Sequence, residues 1–119
     1  MEPGLLRIVR SAIMRAELAE LAGRQFGDMV KAVVDVVRGV MAIGGELHAD
    51  EEAALLDDGS RQGYLWGINL YPGEQGAGWI EFDSMINVRP AQGNRTRDVE
   101  DERLREVIRQ VVATLVSTP

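Results

Sequence analysis

No cysteine occurs among the 119 residues, so neither a disulfide framework nor a thiolate metal site is available. That fits a reducing compartment, and a cytoplasmic location is expected. Histidine occurs once, at His48, and lysine once, at Lys31; every other basic residue is arginine. No apolar run approaches the ~18 residues that a membrane helix needs, so no membrane partner is expected. The start, Met1-Glu2-Pro3-Gly4, lacks the basic stretch and apolar run of a secretory leader. Positive charge is in short supply too. The formal net charge is -6, and such a surface repels phosphate backbones, so no nucleic-acid partner is expected.

What is present suits a small globular protein. Hydrophobic residues make up 45% and charged residues 27%. A chain of this size buries a core without staples, and residues 1–119 read as one domain. Leu5 to Val9 is a short apolar run suited to an edge strand. From about Ala12 to Gln25, Met14, Leu18, Leu21 and Ala22 fall on one helical stripe. Six valines then lie from Val30 to Val40, a β-branched density that favours strand over helix. The segment reads as a hairpin with strands near 29–36 and 40–46, turning at Gly39. The rival reading is one helix over 28–41. In the hairpin, Val30, Ala32, Val34 and Val36 share one face, and Lys31, Val33, Asp35 and Val37 the other.

Asp50 to Leu56 reads as a short helix with an acidic start. Tyr64 to Tyr71 alternates as a strand, and Trp79 to Val88 reads as the next one, antiparallel to it. Asp98, Glu100, Asp101 and Glu102 crowd the start of the clearest helix, about 99–116. Its buried stripe runs through Leu104, Val107, Ile108, Val111, Val112 and Leu115. The expected fold is α+β, a two-layer sandwich. It has a mainly antiparallel sheet of four to five strands and three helices on one face.

Four segments together form a recognisable pattern. They are Gly44-Gly-Glu-Leu-His-Ala-Asp-Glu51 with Asp58-Gly-Ser60, Leu65-Trp-Gly-Ile-Asn-Leu-Tyr-Pro72, Ile86-Asn-Val-Arg-Pro90, and Gln92-Gly-Asn94. The pattern resembles a family of small uncharacterised bacterial proteins, from about Met29 into the last helix. The resemblance implies a bacterial cytosolic domain of unknown function and carries over no residue roles.

Three clusters are candidate sites. Glu46, His48 and Asp50 would point the same way in an extended segment, and a histidine with two carboxylates can ligate a divalent transition metal. The competing structural reading has His48 bonded to backbone, Asp50 at a helix start and Glu46 in water. With no second histidine and no recognised spacing, the structural reading is preferred. The loop from Arg89 to Arg97 offers Arg89, Asn94, Arg95 and Arg97 for a phosphate or carboxylate ahead of a helix. The acidic turn that follows argues for local ion pairs instead. The second sheet face carries Asn69, Tyr71, Glu81 and Asn87, either solvated or used as an interface.

A Ser–His–acid triad would have to use His48, and no serine sits in a Gly-x-Ser-x-Gly elbow. The leading functional expectation is therefore a non-catalytic binding or interaction domain, a homo-oligomer, with a small molecule or another protein as further partners. The alternatives are a small metal-dependent hydrolase using Glu46, His48 and Asp50, and an anion or nucleotide sensor using Arg89, Arg95 and Arg97.

Overall fold

The computed structural model describes residues 4–118; the segment Met1-Glu2-Pro3, read above for a leader, lies outside the described residues. The elements run β1 (Arg7–Val9), β2 (Ile13–Met14), α1 (Arg15–Arg24), β3 (Val30–Asp35), β4 (Val40–Ile43), α2 (His48–Asp57), β5 (Leu65–Leu70), β6 (Ile80–Glu81), α3 (Glu102–Leu115) and β7 (Val116–Ser117). The main sheet has the order β1-β4-β3-β5-β6 and is antiparallel throughout. A separate parallel pair, β2 with β7, sets Ile13 beside Val116. No described helix is long and apolar enough to cross a membrane.

The valine-rich segment is a hairpin. Asp35 closes its turn, accepting the Val37 and Arg38 N–H groups on Oδ1 at 2.9 and 2.8 Å. Gly39 supplies the left-handed residue at φ +69 that the turn requires. The alternation read from the sequence sets the two faces. Val30, Ala32 and Val34 lie with Met41, Ile43, Trp66, Ile68 and Leu70 against Leu18 and Ala22 of α1 and Ile108, Val112 and Leu115 of α3.

The three helices do not share a face. Leu55 of α2 lies on the opposite side, over Val33, Val40, Ala42 and Leu65, with Ile8 and Ile86 packed alongside. The physical reason is that β3 and β4 are apolar on both sides, so the sheet needs cover on both. Leu55 is fully buried there, and its truncation to alanine should cost about 2–5 kcal/mol. The crossing starts at Gly44, whose φ is +83 and whose added Cβ would lie 2.1 Å from the Leu5 carbonyl oxygen. No other residue fits there.

The strand expected over 79–88 also stops early, after Glu81. Beyond it, side chains replace the ladder along the outer edge of β5. Asn87 accepts the Gly67 N–H on Oδ1 at 2.8 Å and donates Nδ2 to the Gly67 carbonyl at 2.9 Å. Arg89 donates Nη2 to the Leu65 carbonyl. The chain is thereby free to turn at Met85–Asn87 and lie across the sheet. Gly67 makes room for it, because a Cβ there would fall 2.5 Å from Cβ of Ser84. The last helix begins at Glu102 rather than near 99, with Asp101 as its cap: Oδ1 accepts the Arg103 N–H at 2.9 Å.

Candidate functional site

The double glycine delivers α2 onto the second sheet face with Leu47 at its N-cap. The Leu47 carbonyl accepts the Asp50 N–H at 3.1 Å, but the leucine side chain has no oxygen, so the N–H groups of His48 and Ala49 have no capping partner among the described residues. Glu51 fastens the turn instead. Its Oε2 accepts the Gly45 N–H at 2.9 Å, while Oε1 is buried without a partner. A Cβ on Gly45 would lie 2.7 Å from Cγ of Glu51, so a larger residue there would displace the Glu51 side chain. Burial pushes the Glu51 carboxyl well above its usual range, against the pull of the Gly45 amide and of Lys31.

His48, the first residue of α2, is buried and turned onto β5. Its Nε2 donates to the Ile68 carbonyl at 2.8 Å. Burial is the main cause lowering its pKa; the bond to Ile68 opposes this, the Lys31 charge adds to it, and Asn69 and Asp83 work the other way. The ring is therefore neutral at pH 7, with Nδ1 as its acceptor.

Lys31 is paired across the ladder with Asn69, on the same face. Its ammonium lies 5.4 Å from the Phe26 ring and has no ion-pair partner among the described residues. Asn69 donates Nδ2 to Oε1 of Glu81 at 2.8 Å and to the Asp83 carbonyl at 3.2 Å, leaving Oδ1 buried and unpartnered. Tyr71 donates its hydroxyl to the same Glu81 oxygen at 3.1 Å. Arg97 spends Nε on Oδ1 of Asp83 at 2.7 Å. Ser84 is buried, and its Oγ accepts the Ile86 N–H at 3.3 Å.

Between the start of α2 and the 84–86 segment lies a cleft of about 190 Å³. Lys31, His48, Ser84 and Arg97 are its polar lining, and Leu47 and Met85 are exposed apolar residues along it. No carboxylate residue lines it.

The sequence-predicted sets are distributed differently. Glu46 and Asp50 are exposed while His48 is buried. The helix begins at His48, so the extended alternation that would have brought the three together does not exist. No group of three or more histidine, aspartate or glutamate residues able to hold a metal occurs among the described residues. Of the loop set, Arg89 and Asn94 are consumed by the fold. Arg89 donates Nε to the Ile86 carbonyl at 2.9 Å and Nη1 to the Gln62 carbonyl at 3.0 Å, with its guanidinium 4.7 Å over the Trp66 ring. Asn94 donates Nδ2 to the carbonyls of Asn87 at 2.7 Å and Asp98 at 2.6 Å, and accepts the Glu100 N–H at 2.9 Å. Arg95 is exposed, and only Arg97 reaches the cleft. Of the sheet-face set, Asn69 and Asn87 are buried beneath the returning chain, Tyr71 is half-buried and Glu81 exposed.

Lys31 and Ser84 are the cleft residues that sequence reasoning passed over. Lys31 carried a signal, as the one lysine of the chain set on the second face of a valine strand. Ser84 stands out as a polar residue on the apolar face of the strand expected over 79–88, but its place over the sheet depends on where that strand ends.

Fold and site together define a small α+β domain: an antiparallel five-stranded sheet, helices on both faces and a polar cleft on the α2 side. A family model described as "Protein of unknown function (DUF5674)" matches residues 7–115, and the chain belongs to that family. No curated protein and no solved structure matches it significantly.

Proposed function

We propose that this protein is a non-catalytic binding domain for a small molecule, and that the cleft beside His48 is its site. The observation that carries this reading is preorganisation. Each polar residue along the cleft except Lys31 has its side chain hydrogen-bonded within the fold: His48 to Ile68, Arg97 to Asp83 and Ser84 to Ile86. Side chains locked in this way bind without a large ordering cost.

A catalytic reading is less well supported. A general base must lie within hydrogen-bond reach of the group it deprotonates. No hydrogen bond joins His48 to Ser84 or to a carboxylate among the described residues, so the base–nucleophile–orienter arrangement is not assembled. Self-association through Tyr71 and Glu81 is compatible with this proposal and not required by it.

The test is a fragment screen followed by amide chemical shifts. A hit should move the His48, Ala49, Ser84 and Met85 amides and be recovered unchanged after long incubation. Chemical conversion of a hit, or hits that all map elsewhere, would overturn the proposal.

A further inference from the structure

The ligand class follows from what the cleft offers. Two basic residues, Lys31 and Arg97, line it with no carboxylate among the lining residues, in a chain whose net charge is -6. Lys31 is half-buried on the sheet and lacks an ion-pair partner among the described residues. A charge partly withdrawn from water gains strongly from a counter-ion. Arg97 uses Nε on Asp83, and its two terminal nitrogens make no hydrogen bond among the described residues. Asp83 is already engaged by that bond. The uncapped amides of His48 and Ala49 add the positive end of α2 on the same side. Of the acids in the first turn of α2, Glu51 is held toward its neutral form by burial and Asp50 is exposed to water, and neither lines the cleft.

The other half of the lining is apolar. Leu47 and Met85 are 56% and 65% exposed, large hydrophobic side chains left in water beside a charged hollow. An inorganic ion would leave them wet; an organic anion would cover them. The volume, about 190 Å³, is below the ~300 Å³ at which drug-sized pockets begin, so the ligand is small.

We infer that the cleft takes a small organic oxyanion, its carboxylate or phosphate head between Lys31 and Arg97 and its apolar part on Leu47 and Met85. This rests on the binding role proposed above.

The experiment is a titration of the ¹⁵N-labelled protein at low salt with four probes: benzoate, phenyl phosphate, inorganic phosphate and benzyl alcohol. The two organic anions should move the His48, Ala49 and Ser84 amides and bind about ten-fold tighter than either the bare ion or the neutral alcohol. Which head binds better decides between a carboxylate and a phosphate ester. Lys31→Met, which keeps an apolar stem, should weaken the better probe about ten-fold, and Arg97→Gln, on an exposed loop, should do the same if Lys31→Met folds poorly. Benzyl alcohol binding as well as benzoate, with both variants unaffected, would overturn the anion assignment and leave the binding role standing. Failure of all four probes to move cleft amides would overturn both.

Discussion

Asn87 pairs with Gly67 as a strand would, through a single side-chain amide that both accepts and donates at 2.8 and 2.9 Å. A second donor bond, to the Arg97 carbonyl at 3.0 Å, ties the edge of β5 to the loop that carries a cleft arginine. One buried amide thus substitutes for the partner residue that a β-ladder would set opposite Gly67.

Asn87→Ala should be among the most destabilising polar substitutions in the chain. It strands the buried Gly67 N–H and carbonyl, at about 2–4 kcal/mol for the two groups. Asn87→Asp keeps the acceptor but sets a buried carboxylate oxygen against the Gly67 and Arg97 carbonyls, so at pH 7 it should be the least stable of the three. Urea unfolding of the three proteins gives the ordering; an alanine variant as stable as the parent would mean that water replaces the amide without cost.

Gly67→Ala tests the packing beneath Ser84 and Ile86, two residues that line the cleft. Its Cβ would meet Ser84 Cβ at 2.5 Å and Ile86 Cγ1 at 3.1 Å. Overpacking of this kind costs about 1–3 kcal/mol. Ser84→Gly should recover part of the loss in the double variant and be mildly unfavourable alone. A double-mutant cycle reads that coupling directly, and additive effects would place the strain elsewhere.

Glu51 makes stability fall as pH rises. Its folded pKa lies well above the ordinary 4.5, because burial disfavours the charged form. The contribution is fully present below 4.5 and is lost as pH climbs through the raised folded value. Glu51→Gln should remove that slope, leaving a flatter stability profile from pH 4 to pH 8. Equal slopes for parent and variant would assign the pH dependence to another group.

His48 acts with the opposite sign. Its folded pKa lies below the ordinary 6.5, burial being the main cause. Its contribution is present above 6.5 and is lost as pH falls through the lower folded value. The gap in unfolding free energy between the parent and His48→Gln should therefore narrow between pH 7.5 and pH 5. A constant gap would mean that the imidazole is no harder to protonate in the fold than in the unfolded chain.

Much of this architecture is legible in the residues. Six valines from Val30 to Val40 announce the hairpin, and strand parity alone puts Lys31 on the face opposite Ala32. The side taken by α2 is not legible in the same way. Val33, Val40 and Ala42 are as apolar as Val34 and Met41, so periodicity does not assign the helices to faces, and the expectation of three helices on one side left the second apolar face without its cover. The overrun of the second hairpin strand has a related cause. Ile80, Phe82, Ile86 and Val88 continue to alternate where the ladder has already ended, and alternation cannot show that an asparagine side chain will supply the missing backbone bonds. The cleft inherits both ambiguities. Its residues come from β3, the first turn of α2 and the chain after β6, and the helix start at His48 decides which of them meet.

The short parallel ribbon that sets Ile13 against Val116 has a practical corollary. It fastens the stretch between β1 and α1 to the end of α3, with the Ser117 hydroxyl donating to the Ile13 carbonyl at 3.3 Å. Fraying of the last turn of α3 would therefore also release the stretch that leads into α1, so the two helices on that side of the sheet are expected to loosen together rather than one at a time.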